Sequence, residues 1–205
     1  KTIYLPDSLT EIESEAFKNC TNLEMIIIPK NVKTIGNEAF CNCSKLSNVI
    51  LPTNIKQIKD KTFLGCTKLK SINIPNSVTA IGKEAFSNCS NLSSIILSSK
   101  LETIGSNAFL ECNSLKQINL PESLSLIDEG AFSRTALSSI IIPKDVKVID
   151  TKTFFQCIEL EKVELPKNLY TIKSMAFSGC IKLQNITLPE NLLYIGSGAF
   201  SSCEK

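Results

Sequence analysis

Apolar and polar residues along this chain recur at a spacing longer than any helix or strand period. The pair Ala-Phe, replaced by Thr-Phe in two places, appears nine times. Successive phenylalanines are 23 residues apart, except for one step of 22 between Phe132 and Phe154. A fixed period of this size is typical of a solenoid, in which each repeat forms one coil and buries its apolar side against its neighbours. The sequence therefore predicts a single elongated repeat domain over residues 1–205.

Two positions of the repeat hold the same residue in every copy. The repeats start near residues 5, 28, 51, 74, 97, 120, 142, 165 and 188. The eighth position is always Ile, as in Ile35, and the thirteenth is always Phe, as in Phe40. In a stack of coils, residues at one repeat position lie above each other and form a column. An inward column must fill the same slot at interior packing density in every coil, so we predict that the Ile and Phe columns form the core.

The segment before each repeat start predicts a β-strand. Residues 46–51 are typical: they are short, partly β-branched and apolar at alternate positions, and Pro52 follows them. Copies of this strand would pair in parallel about 4.8 Å apart, giving a ladder roughly 40 Å long on a concave face. After the strand we predict an extended return arc, and then one helical or 3₁₀ turn at Glu38-Ala39-Phe40 and its counterparts on the convex face.

The repeat resembles a known family of leucine-rich repeats. Its consensus, Leu/Ile-Pro-x-Ser/Asn-Val/Leu-x-x-Ile-Gly-x-x-Ala-Phe-x-x-Cys-x-x-Leu-x-x-Ile, is similar to the BspA-type subfamily over residues 1–205. The departures are Ser98 in place of the proline, the shorter repeat around Thr135 that lacks the cysteine, and non-glycine residues at the glycine position, namely Glu13, Lys59, Asp128, Asp150 and Lys173. The resemblance implies an α/β-type leucine-rich repeat solenoid. Neither end carries the polar cap that a solenoid needs, so we expect the chain to be an excerpt of a longer protein.

Nine cysteines allow three interpretations. Eight of them occupy one column, and Cys41 stands outside it. A disulfide framework is the usual interpretation in a small secreted domain. However, column neighbours about 4.8 Å apart with parallel side chains do not match disulfide geometry. Metal binding by the column or by Cys41 and Cys43 lacks the usual Cys-x-x-Cys pairs and histidines. We therefore favour reduced, buried thiols and expect no metal and no cofactor. The column consists of Cys20, Cys43, Cys66, Cys89, Cys112, Cys157, Cys180 and Cys203.

Composition argues against several classes of function. The chain has no histidine, which removes the common Ser-His and Cys-His catalytic arrangements. Net charge is +2 and Arg134 is the only arginine, so nucleic-acid binding is not expected. No apolar run approaches membrane-spanning length, and we expect no membrane contact by this segment. The sequence predicts a non-enzymatic protein.

The outward positions of the predicted strands are the candidate binding residues. The first three strands place large apolar side chains next to each other, and an exposed apolar patch with a polar rim marks an interaction site in many soluble proteins. An alternative is that isoleucine simply favours strands. A weaker second candidate is the group of Tyr170, Leu193 and Tyr194, which we expect to contact a further coil instead. The predicted ligand-binding residues are Tyr4, Met25, Ile27, Ile50, Ile96 and Ile141.

Two classes of function remain open. Resemblance to the BspA-type family implies a surface or secreted adhesin whose protein ligand is an extracellular-matrix or plasma protein of a host. The alternative is a cytoplasmic interaction scaffold that uses the same surface for an intracellular partner. Oligomeric state is open in both cases.

Overall fold

The computed structural model describes residues 1–204 and shows a parallel β-solenoid, as the repeat pattern predicted. Each repeat forms one coil. Seven coils have a three-residue strand before the proline position, and all nine have a two-residue strand after it. The three-residue strands are β1 (Thr2–Tyr4), β3 (Met25–Ile27), β5 (Asn48–Ile50), β7 (Ser71–Asn73), β9 (Ser94–Ile96), β12 (Ser139–Ile141) and β14 (Lys162–Glu164). The two-residue strands are β2 (Glu11–Ile12), β4 (Thr34–Ile35), β6 (Gln57–Ile58), β8 (Ala80–Ile81), β10 (Thr103–Ile104), β11 (Leu126–Ile127), β13 (Val148–Ile149), β15 (Thr171–Ile172) and β16 (Tyr194–Ile195).

All strand pairs are parallel and keep the register of the repeat. Ile3 lies opposite Ile26, and Ile26 lies opposite Val49, in steps of 23 residues. The central residue of each three-residue strand points into the coil, and Ile26 is fully buried. The two flanking residues point outward, because successive side chains of a strand alternate between faces.

The ladder of three-residue strands is interrupted, whereas the sequence predicted a continuous one. The paired groups are β1-β3-β5, β7-β9 and β12-β14. Residues 117–119 and 185–187 occupy the strand position in their coils but form no strand. The predicted spacing of about 4.8 Å therefore holds only within the paired groups.

The return arc, predicted to be merely extended, contains a second parallel ladder. Its groups are β2-β4, β6-β8-β10-β11 and β13-β15-β16. The invariant Ile of the repeat ends each of these strands and is buried from Ile12 to Ile172, with Ile35 only 2% exposed; in the last coil Ile195 is 48% exposed. The sequence pattern does not predict these strands, because two residues are too few to show the alternation that identifies a strand.

The predicted helical or 3₁₀ turn is wrong, because the segment around Phe is a run of tight turns. Within residues 1–204 there is no helix. Glu38 and Asn42 have φ angles of 56° and 58°, and this left-handed conformation interrupts a helix on both sides of Phe40. Instead, the Phe amide donates to the Ala or Thr carbonyl of the next coil at 2.8–2.9 Å. This bond occurs at each of the eight coil junctions from Phe17 to Phe177, so the turns provide the uninterrupted hydrogen-bonded column of the molecule.

Phenylalanine side chains form the centre of the core, as predicted. The nine rings stack with centroids 5.3–5.7 Å apart and interplanar angles of 1–12°. The seven from Phe40 to Phe177 are fully buried. In these seven coils the residue before Phe is small and is also fully buried; at Thr62 and Thr153 the extra hydroxyl donates to the carbonyls of Lys59 and Asp150.

Candidate protein-binding face

The outward side chains of the three-residue strands form one exposed surface, here called the strand face. It also includes the outward residues of the aligned segments 117–119 and 185–187. Every residue at these positions is exposed except Met25, which is half-buried. Each coil contributes one row of two outward side chains to this face. Equivalent residues of successive coils line up, so the strand face consists of two parallel columns of side chains.

Four of the six predicted binding residues form one cluster, the N-terminal patch, composed of Tyr4, Met25, Ile27 and Ile50. Tyr4 lies opposite Ile27, and Ile27 lies opposite Ile50, in adjacent hydrogen-bonded strands. Their exposed fractions are 86%, 47% and 57%. Residues directly opposite each other in adjacent strands are within side-chain contact distance, so the patch is continuous.

The other two predicted residues stand apart from this patch. Ile96 is 63% exposed and lies opposite Asn73. Ile141 is 65% exposed and lies opposite Glu164. Asn119 occupies the position between Ile96 and Ile141. The six residues therefore do not form a single apolar surface.

A cleft at the first interruption of the ladder links Ile96 to the N-terminal patch. It lies between β5 and β7, has a volume of about 520 Å³, and is lined by Met25, Ile50 and Ile96 among other residues. The remaining lining residues are Asn48, Val49, Ser71, Ile72, Asn73 and Ser94. Amide and hydroxyl groups thus lie beside aliphatic side chains, an arrangement suited to a segment with both apolar and hydrogen-bonding groups.

Two further hollows flank the segment 117–119. One of about 260 Å³ separates it from β9, and one of about 380 Å³ separates it from β12. Ile141 lines the larger hollow, together with Gln117 and Asn119. These openings could not be predicted from the sequence, since Gln117-Ile118-Asn119 has the same alternation as the strands that do pair.

The cysteine column is a row of free thiols that hydrogen-bond to the stack. All nine cysteines are free. In every coil that follows another and has the cysteine, its Sγ donates to the Phe carbonyl of the preceding coil at 3.0–3.3 Å. Burial raises the pKa of the Cys66 and Cys89 thiols well above the ordinary value, and that of Cys43 to about 12. These thiols are therefore protonated near neutral pH and are poor nucleophiles and metal ligands.

Cys41 lies outside this column but is equally inaccessible. It is 3% exposed, and burial raises the pKa of its thiol as well. Over residues 1–204, no group of three or more Cys, Asp or Glu side chains is arranged to hold a metal ion. The same residues contain no helix that is long and apolar enough to cross a membrane.

The shortened repeat creates a feature that the sequence analysis missed. Thr135 takes the place of the missing cysteine, and its hydroxyl donates to the carbonyl of Phe132 in its own coil at 2.9 Å. Beside it lies a hollow of about 570 Å³ whose lining includes Ile158 and Ile181. Arg134 borders the hollow and donates to Gln156 and Glu111, both at 2.9 Å. A sequence signal existed: the five earlier coils that have the cysteine carry Thr, Ser or Asn where Ile158 and Ile181 stand.

The second predicted group lies on the ladder of two-residue strands, away from the strand face. Tyr194 belongs to β16, and the amides of Leu193 and Tyr194 both donate to the carbonyl of Tyr170. Exposed fractions are 43% for Tyr170, 83% for Leu193 and 54% for Tyr194. They lie in the last two coils of the stack.

The fold and these surfaces can be compared with known proteins. A family described as "BspA type Leucine rich repeat region (6 copies)" matches residues 1–109, 33–161 and 79–205, and these matches together span the chain. None of the curated proteins compared matches the sequence. A solved leucine-rich repeat protein of T. pallidum is 27% identical with a TM-score of 0.67, covering 90% of this chain and 78% of that one.

Two other solved structures are also similar. The pneumococcal vaccine antigen PcpA is 26% identical with a TM-score of 0.65, covering 93% of this chain and 60% of that one. A leucine-rich cell surface protein of Faecalibacterium prausnitzii is 22% identical with a TM-score of 0.64, covering 99% of this chain and 79% of that one. At that identity the likeness concerns the fold alone. Since the family match spans all coils, the chain belongs to the BspA-type leucine-rich repeat proteins.

Proposed function

We propose that this chain is the protein-binding repeat region of a surface or secreted adhesin, and that its strand face binds an extracellular protein of a host. Repeats of this family are typically non-catalytic binding modules. The observation that carries the proposal is the N-terminal patch, in which Tyr4, Ile27 and Ile50 are exposed and adjacent on hydrogen-bonded strands. A contiguous apolar cluster of this kind marks interaction sites on soluble proteins.

The patch has the properties of an interface centre. Full burial of one large apolar side chain contributes about 1.5–3 kcal/mol, so three such side chains can dominate the free energy of binding. A typical stable interface covers roughly 800 Å² per partner. The polar residues of the following strands would supply the rest of the contact, in agreement with the usual concentration of binding energy in a few central residues.

The extracellular location rests on the relatives. A protein of the same fold is described as a cell surface protein, and PcpA is described as a vaccine antigen. On the cell surface the strand face would be accessible to matrix or plasma proteins of the host, which are the partners we propose. A cytoplasmic scaffold remains the alternative outcome of the test below.

The experiment has two parts. Antibodies raised against the chain are applied to intact and to permeabilised cells of the source organism, and the immobilised chain is titrated with purified extracellular-matrix and plasma proteins. We expect labelling of intact cells and saturable binding of at least one protein. Labelling that requires permeabilisation, or no saturable binding in the panel, would contradict the adhesin proposal.

A further inference from the structure

Seven consecutive rows of the strand face carry no charged residue. The chain as a whole is 20% charged. At that fraction about three charged residues would be expected among fourteen outward positions. The fourteen residues, here called the neutral strip, are Thr2, Tyr4, Met25, Ile27, Asn48, Ile50, Ser71, Asn73, Ser94, Ile96, Gln117, Asn119, Ser139 and Ile141.

Charges begin immediately outside the neutral strip. The residue before each outward pair is charged in several coils, as at Glu24, Lys70 and Lys116, and these side chains are exposed. The residue after the proline is charged at Lys30 and Lys144, which are exposed as well. The neutral strip is therefore a property of the two outward columns and does not reflect a shortage of charge in these coils.

A charged row ends the neutral strip in the next coil. Lys162 and Glu164 occupy the outward positions of β14, and their side chains pair at 2.7 Å. Even this row carries no net charge.

We propose that the neutral strip binds an extended, uncharged segment of a protein partner, in which aliphatic side chains alternate with hydroxyl or amide side chains. This inference rests on the proposed function, since it assigns the chemistry of the ligand to the same strand face. This alternation complements the neutral strip itself, which has aliphatic groups at Ile27, Ile50 and Ile96 and hydrogen-bonding groups at Asn48 and Ser71.

Charge matching is the reason for an uncharged partner. A charged side chain buried against the neutral strip would lose its hydration and find no opposite charge there, which makes burial unfavourable. Uncharged amide and hydroxyl groups can instead exchange hydrogen bonds with Asn48, Ser71, Asn73 and Ser94. The strip therefore discriminates against charged segments of either sign.

The dimensions fit a single extended segment. Paired rows are about 4.8 Å apart, so seven rows span at least about 30 Å, and the two columns are about 7 Å apart along each strand. An extended chain advances about 3.3 Å per residue, so about nine residues would cover the length of the neutral strip.

The experiment uses a display library of random peptides of about 12 residues, selected on the immobilised chain. We expect selected peptides to be depleted in Asp, Glu, Lys and Arg. Their affinity should change less than about twofold when the salt concentration rises from about 0.1 M to 1 M, although the screening length falls from about 10 Å to 3 Å. Enrichment of acidic or basic peptides, or a steep loss of affinity with salt, would overturn the inference.

Variants locate the binding and test the charge argument. Ser71 is exposed within the neutral strip, so Ser71→Glu and Ser71→Lys should each weaken the selected peptides about tenfold or more. Lys70→Glu is the matched control on the adjacent rim and should change affinity little. If one sign at Ser71 strengthens binding, the ligand is charged and this inference fails while the proposed function stands. If neither variant matters, the selected peptides bind elsewhere and this inference fails, while the proposed function is decided separately by the titration with host proteins.

Discussion

The thiol of Cys66 donates a hydrogen bond to the main-chain carbonyl of Phe40 in the preceding coil, with an Sγ–O distance of 3.2 Å. Cys89 makes the same bond to Phe63 at 3.1 Å. The slot therefore needs a small, apolar side chain with one weak donor, which a protonated cysteine provides. This relationship explains the cysteine column by packing, without a disulfide or a metal.

Stability should fall at alkaline pH because of these thiols. Burial raises the pKa of the Cys157 thiol from 9.0 to about 11, and it raises the pKa of the Cys89 thiol well above the ordinary value. Below pH 9 the thiols are neutral in both states. Above it the unfolded chain ionises while the folded chain does not, so the free energy of unfolding should drop by up to about 1.4 kcal/mol per pH unit for each buried thiol.

Denaturant titrations between about pH 8 and pH 11 measure this effect. Cys89→Ala lowers stability at all pH values through lost packing, but it should also reduce the slope above pH 9 by the share of one thiol. An identical slope in the variant and the unchanged protein would show that ionisation of this thiol does not limit stability.

Truncation of a central phenylalanine should be severely destabilising. Phe86 is fully buried and stacks between Phe63 and Phe109 at 5.4 and 5.5 Å. We expect Phe86→Ala to lower the free energy of unfolding by about 3–5 kcal/mol, measured by urea titration. Phe17 lies in the first coil and is only half-buried, so Phe17→Ala should cost clearly less. A loss below about 1 kcal/mol at Phe86 would contradict tight packing of the column.

Gly36 is expected to tolerate no side chain. A Cβ atom at this position would overlap the backbone nitrogen of Ser14 in the preceding coil. Gly36→Ala must therefore push two coils apart, and we expect a loss of about 1–3 kcal/mol in urea titrations. Lys59 occupies the same repeat position one coil later, so Lys59→Ala is the matched control and should change stability by less than about 0.5 kcal/mol. Equal effects of the two changes would refute the close approach.

Most of the fold follows from the repeat, because a column that recurs in every coil must occupy the same environment. The 23-residue period predicts the solenoid and its register. The Ile and Phe columns predict its core, and the alternation before each proline predicts the strand. The turns around Phe40 could not be predicted, because their left-handed residues include Glu38, Lys61 and Arg134, which no propensity rule assigns to that conformation. Alanine, glutamate and phenylalanine next to each other favour a helix more than a turn.

The candidate site was predictable only in part. Because successive side chains of a strand point to opposite faces, the inward Ile26 identifies Met25 and Ile27 as outward residues. The separation of Ile141 from the N-terminal patch depends on where strand pairing stops. Pairing depends on the spacing between coils, which the repeat consensus does not predict. The hollow beside Ile158 depends on a one-residue deletion whose consequence lies in the neighbouring coils.

The central claim is that the N-terminal patch is the centre of protein binding, and one comparison of two variants tests it most directly. Ile27→Lys with Ile50→Lys places two charges in the patch. Ile158→Lys with Ile181→Lys makes the same chemical change at exposed positions 23 residues apart on another surface. The measurement is the Kd of both folded variants for the matrix or plasma protein that the unchanged chain binds. We expect the patch variant to lose about tenfold to a hundredfold in affinity and the control to lose less than about twofold; equal affinities for the two variants would contradict the claim.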